Sequence, residues 1–203
     1  MDDGGGEALT SYIQTTVGQR FAHVINSWVL SGDGLAGKPQ GILNSPAKVT
    51  QTKESGQSAA TINLANTQKM LTRVPAFSRS TAVWVAHPET EPQLSALGVP
   101  HWNPSGPRPL LHGLAVYFQE AAAPLGSEGD LTLVDFRSYL AAVRAYGTEN
   151  DIRQDVSTEL WFDAGLSALK FTMRVSGLCW YSAPWARFKT ATTVSPIVTI
   201  ENR

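Results

Sequence analysis

Apolar side chains at Leu9, Ile13, Val17, Phe21, Val24 and Trp28 recur every three or four residues, the spacing that lines one side of an α-helix. The pattern predicts one long amphipathic helix from about Glu7 to Leu30, roughly 36 Å at 1.5 Å per residue. Its stripe of Leu9, Ile13, Val17, Phe21 and Trp28 is expected to be buried. Gly32, Asp33 and Gly34 stop it, because glycine takes up the left-handed backbone that ends a helix. From Leu35 to Ala60, Gly, Ser, Thr, Gln and Pro surround short apolar islands at Ile42, Leu43 and Val49, which predicts loops with short strands. Asn63 is placed to cap a second helix that carries Leu64, Met70, Leu71 and Val74 and ends at Pro75.

Beyond this point the pattern changes to strands. Val83 to Ala86 reads as a buried strand, and Pro88 with Glu89 and Glu91 suits the first turn of a third helix reaching Leu97. Prolines and glycines crowd the segment from Gly98 to Gly113, which predicts a loop leading into a strand at Leu114 to Phe118. Further strands are expected at Leu131 to Val134, Ala141 to Tyr146 and Val156 to Phe162. Leu169, Phe171, Met173 and Val175 alternate with Lys170, Thr172, Arg174 and Ser176, the mark of a strand with one dry and one wet face. A last strand, Ile197 to Ile200, follows Pro196. No internal repeat or low-complexity tract interrupts the series, and the mixture of elements is of the α+β class.

Composition narrows the possibilities. A length of 203 residues with 42% apolar content suits one ordinary domain or two small lobes sharing a core. A net charge of −1 with 16% charged residues offers no cationic surface, so any contact with DNA is expected to be local and weak. The single cysteine, Cys179, excludes an internal disulfide and a multi-cysteine metal site and fits a reducing compartment. Residues 1 to 8, MDDGGGEA, lack the basic and apolar character of a signal peptide, and no run of about 18 apolar residues predicts a membrane span. The six tryptophans are high for this length, and large aromatics often anchor interfaces.

The chemical motifs carry less than their spacing suggests. Gly32, Gly34 and Gly37 have the spacing of a dinucleotide-binding loop, but such a loop follows a strand and opens a helix, whereas these glycines follow a helix and run into Lys38, Pro39 and Gln40. His23, His87, His101 and His112 show no metal-ligand spacing and read as surface or loop histidines. There is no GxSxG elbow, and Cys179 beside Trp180 and Tyr181 reads as a packed thiol. Asp130, Asp135, Asp151 and Asp155 are spread through loop and strand margins, and Glu128 to Asp130 reads as a turn. The stretch from Cys179 to Phe188, CWYSAPWARF, could stack single-stranded nucleic acid, but without a basic groove it is better read as packing in a core or a subunit contact. These residues predict no catalytic, cofactor-binding or metal site.

Several phrases then resemble one family in order. WVLSGDGLAGKPQGILN after the long helix, AVWVAHP at Ala82 to Pro88, HGLAVYF at His112 to Phe118, GSEGDLTLVDFRSY, LKFTMRVSGLCW and SPIVTI resemble the major capsid proteins of tailed phages and prophages, of the Hong Kong 97 type. The resemblance implies residues 1–34 as the spine helix of a peripheral domain and 35–150 as an axial domain. It implies 151–182 as peripheral-domain strands and 183–203 as a return to the axial domain. It further implies a non-enzymatic shell protein located in the virion and assembled in the bacterial host cytoplasm. Its partners would be copies of itself in pentamers and hexamers, scaffold or portal proteins, and packaged double-stranded DNA touched non-specifically, with no membrane. An encapsulin-type nanocompartment shell shares the fold and is the alternative; a nucleotide-binding enzyme using Gly32, Gly34 and Gly37 is a third reading. Family members usually carry an N-terminal arm and a long β-hairpin before the spine helix, whereas this chain starts almost at the helix. Residues 1–203 alone are therefore expected to give monomers, small oligomers or irregular aggregates in place of closed shells.

Overall fold

The computed structural model describes residues 5–145 and 152–203. The elements run α1 (Gly5–Ser31), β1 (Val49–Gln51), α2 (Leu64–Arg73), β2 (Val83–Ala86), α3 (Glu91–Ser95), β3 (Trp102–Asn103), β4 (Leu110–Leu111), β5 (Leu114–Phe118), β6 (Leu131–Val134) and β7 (Tyr139–Val143). They continue through β8 (Arg153–Trp161), β9 (Leu166–Thr172), β10 (Val175–Cys179), β11 (Trp185–Ala186), β12 (Thr193–Val194) and β13 (Ile197–Ile200). The chain divides into two compact units, one of residues 1–26 and 141–176, the other of residues 27–140 and 177–203. The backbone crosses between them within α1, within β7 and near the start of β10.

The larger unit is built on a mixed sheet in the order β1-β13-β6-β2-β5-β4-β3. Register places Val198, Leu133, Trp84 and Val116 side by side across its four central strands, a continuous apolar row on one face. Met70 and Val74 at the end of α2 and Leu94 of α3 pack in that cluster, so helices close this face. Residues on alternate positions, Val85, Val134 and Ile197, point to the opposite face, where Leu30 of α1, Ile42 and Cys179 cover them. With both faces covered, β6 and β13 are buried along their whole length, and β2 along all but its first residue. The Trp84 indole N–H donates to the Leu111 carbonyl at 3.0 Å, so burying it leaves no polar group unpaired.

Local signals set the helix ends. At the start of α2 the Asn66 side chain accepts from the backbone N–H of Asn63 at 3.0 Å, and Pro75 lies just beyond its end. The third helix is shorter than the expected reach to Leu97, a 3-10 turn at Pro88–Thr90 leading into one turn of α-helix. The expected loop from Gly98 to Gly113 holds the two-residue strands β3 and β4, which pair antiparallel at the sheet edge. The expected strand at 141–146 begins earlier, at Tyr139, and Tyr146 lies outside the described residues.

In the smaller unit, β8 and β9 form an antiparallel hairpin that pairs Val156 with Leu169 and Gln154 with Phe171. Gln14 of α1 donates to the Gln154 side-chain oxygen at 3.1 Å. Three expectations are corrected here. The alternating run from Leu169 to Val175 is two strands, because β9 ends at Thr172 and Val175 opens β10, which pairs with β7. The apolar stripe of α1 is not buried as a whole: Leu9 is exposed, and Ile13, Val17, Phe21 and Trp28 are half-buried. Nor is one face of β9 dry, since Leu166 and Leu169 remain exposed.

Candidate self-association surface

The glycine-rich turn is a helix terminator. Gly32 N–H donates to the Trp28 carbonyl at 2.8 Å, and the Asn44 side-chain amide donates to the Ser31 and Gly32 carbonyls at 2.9 and 3.0 Å. Asn44 thus satisfies carbonyls that the end of a helix leaves without partners. The turn folds back so that Gly41 N–H donates to the Gly32 carbonyl at 2.8 Å, and a Cβ on Gly32 would collide with the Pro39 carbonyl oxygen. Gly34 and Gly37 adopt φ of 71° and 80°, the left-handed conformation that glycine takes without strain. A pyrophosphate needs helix N-terminal N–H groups; here the glycines sit at the carbonyl end of α1, where the dipole is negative. Leu35 N–H and the Lys38 ammonium bind Asp33, whose carboxyl is held below its ordinary value first of all by that Leu35 hydrogen bond.

The remaining candidate residues are dispersed. His101 and His112 are neighbours, with ring centroids 5.1 Å apart, and Thr67 Oγ1 lies 2.8 Å from His112 Nε2. Burial first, and then the neighbouring His101, lower the His112 pKa. His87 accepts from the Glu89 N–H at 3.2 Å, and His23 is exposed on α1. Among the described residues no group of three or more His, Cys, Asp and Glu side chains could hold a metal ion. Cys179 is buried and its thiol faces the Ser138 carbonyl at 3.6 Å. Nearby, burial first and Cys179 second raise the Tyr139 phenol, whose hydroxyl donates to the Gln40 carbonyl at 3.0 Å.

The aspartates have separate tasks. Asp130 receives Arg203 in a two-pronged ion pair at 2.7 and 3.2 Å, with both side chains fully buried. Sequence reasoning missed this pair, because nothing local links positions 130 and 203. Asp135 caps a short turn by accepting from Arg137 N–H at 3.1 Å. Asp155 pairs with Arg153 at 2.8 Å on the exposed hairpin, and Asp151 lies outside the described residues. Glu128 accepts from Lys48 and Thr50 at 2.8 Å and from Thr199 at 3.1 Å. Burial alone would raise the Glu128 carboxyl, but these donors bring it below its ordinary value.

What the molecule does present is uncovered apolar surface. In the smaller unit, Val156, Leu160, Trp161, Phe162 and Leu166 on and around the hairpin are all exposed, Phe162 at 84%. Leu9 and Tyr12 on α1 are exposed as well. In the larger unit, CWYSAPWARF splits. Cys179 goes into the core, whereas Trp180 is 67% and Phe188 92% exposed. Tyr181 tilts against Trp185 at 5.0 Å between ring centroids, and Trp185 stacks on Phe77 at 6.2 Å. Large apolar side chains left in solvent and gathered on one element mark contact sites for other macromolecules. No helix among the described residues is long and apolar enough to cross a membrane.

The chain thus combines a long helix, a hairpin-bearing unit and a sheet-bearing unit with exposed aromatics. The same fold occurs in the capsid of an empty gene transfer agent particle computed with C5 symmetry. The match has a TM-score of 0.68 and 19% identity and covers 95% of this chain and 66% of that one. The capsid of the native particle matches with a TM-score of 0.64 and 19% identity over 95% of this chain and 65% of that one. This chain therefore spans about two thirds of the length of those subunits. No curated protein matches it. The phage capsid family profile matches residues 3–184, and the chain belongs to that family.

Proposed function

We propose that the chain is the shell-building part of a major capsid protein of a tailed phage or prophage, joining copies of itself into pentamers and hexamers. The observation that carries this reading is the exposed apolar surface of α1 and the β8–β9 hairpin in a chain of the phage capsid family. Leaving residues such as Leu160 and Phe162 in water gives up about 25 cal/mol per Å², which contact with further subunits recovers. The unit of residues 1–26 and 141–176 acts as the peripheral domain and the remainder as the axial domain. The role is structural, the location is the virion, and assembly takes place in the host cytoplasm. Scaffold and portal proteins would be the further partners. With a net charge of −1, contact with packaged DNA is confined to local basic groups.

Each contact in a closed shell is reused around the symmetry axes, so single interfaces can be modest while many per subunit give stability. Analytical ultracentrifugation over a concentration series, with electron microscopy of the products, tests the reading. Monomers at low concentration that pass into small oligomers or irregular aggregates as concentration rises are expected, without closed shells. A chain that stays monomeric even at the highest concentrations overturns the self-assembly reading.

A further inference from the structure

An open cleft of about 180 Å³ in the larger unit is lined by Phe77, Ser78, Thr81, Asp135, Arg137, Ser138, Trp180 and Tyr181. Its chemistry is unbalanced. Ser78 is fully buried, yet its hydroxyl has no hydrogen-bond partner among the described residues. Asp135 is only 4% exposed, and among the described residues its carboxylate accepts from the Arg137 backbone N–H without an ion-pair partner. A buried carboxylate in that state is costly. Aromatic rings of Phe77, Trp180 and Tyr181 form much of the wall beside Thr81, Arg137 and Ser138, and the Phe77–Trp185–Tyr181 contacts brace it. The Arg137 side chain is exposed and forms no ion pair with Asp135, so it does not neutralise the carboxylate.

Aromatic faces carry negative potential and attract cations, while a carboxylate and a hydroxyl accept their N–H groups. The volume suits a single long side chain. We infer that this cleft receives a cationic side chain, Arg or Lys, from a second copy of this chain. The inference rests on the self-assembly proposed above, and it adds the place and chemistry of one contact. A guanidinium would stack on Trp180 or Tyr181 and pair with Asp135, supplying the ion-pair partner that the carboxylate lacks within the subunit.

The test compares the wild-type chain with Asp135→Asn and Trp180→Ala by sedimentation over a concentration series, with thermal melting to confirm folding. In Asp135→Asn the amide oxygen can still accept from Arg137 N–H, and Trp180 is largely exposed, so both variants should fold. Each should need about tenfold higher concentration to associate, the scale of one lost charge-assisted or cation–π contact. Acetyl-arginine amide in excess should weaken association of the wild type and leave Asp135→Asn unaffected. If the wild type associates and both variants match it, the cleft assignment falls while self-assembly stands. If arginine amide has no effect on the wild type, the occupant is not cationic and the assignment falls. If the wild type does not associate at all, the two proposals fall together.

Discussion

The central sheet of the larger unit and the hairpin of the smaller one use the same kind of residue in opposite ways. In the larger one, Trp84, Leu131, Leu133, Val198 and Ile200 are at or near zero exposure, layered between α2 and α3 on one side and the end of α1 on the other. In the smaller one, Val156, Leu160, Trp161, Phe162 and Leu166 face solvent. The first unit holds its own core, whereas the second leaves these apolar side chains uncovered. For a protein proposed to act in many copies, that division separates folding from assembly. In that proposal the sheet is the folded frame, and the hairpin and helix supply the contacts.

The comparison breaks first in the core. Replacing Trp84 by Ala removes the centre of the Val198–Leu133–Trp84–Val116 row and should cost about 3–5 kcal/mol in urea unfolding. Replacing Arg203 by Met leaves Asp130 charged and buried without its partner and should cost about 3–5 kcal/mol as well. The exposed pair Arg153–Asp155 is the control in the smaller unit. Arg153→Ala should change stability by less than about 1 kcal/mol.

A finer contrast uses α1 and the hairpin. Ile13 is half-buried, so Ile13→Ala should cost about 1 kcal/mol and not the about 2–5 kcal/mol of a fully buried site. Phe162→Ser should move the unfolding free energy by no more than about 0.5 kcal/mol, while clearly weakening self-association in the ultracentrifuge. An unfolding loss as large as that of Trp84→Ala would show that the hairpin surface is folded into the subunit's own core.

These contrasts also mark what the sequence could reveal. The strands at Val83–Ala86, Leu114–Phe118, Leu131–Val134 and Ile197–Ile200 lie where short, mostly apolar runs bounded by turn residues put them. The long helix and its stop were legible from the three-to-four-residue apolar spacing and from the glycines that follow it. A stripe such as Leu9, Ile13 and Val17 says that the helix has an apolar side, but not whether its own chain or another copy covers it. The alternation from Leu169 to Val175 conceals a change of partner between β9 and β10, since pairing is a long-range choice. The Asp130–Arg203 pair and the cleft at Ser78 and Asp135 assemble residues too far apart in sequence for any local spacing to show them.

The smallest expected effect is a pH dependence confined to the larger unit. The His112 pKa is lowered from 6.5, first by burial and then by His101, so the folded state prefers the neutral ring. Above pH 6.5 the ring is neutral in both folded and unfolded chains, and its contribution to stability is fully present. As pH falls below 6.5 the unfolded chain takes up the proton first, and stability declines until the folded ring titrates too. Glu128, lowered from 4.5, acts in the same direction at lower pH, its contribution lost as the carboxylate protonates. The two windows can therefore be separated. His112→Asn keeps a polar group near Thr67, and asparagine tolerates the φ of 52° found there. Urea unfolding followed from pH 7.5 down to 4 should show the wild-type stability beginning to fall just below 6.5. In His112→Asn that first decline should vanish and the Glu128 decline remain. An unchanged slope in the variant would mean that His112 is charged as readily in the folded chain as in the unfolded one.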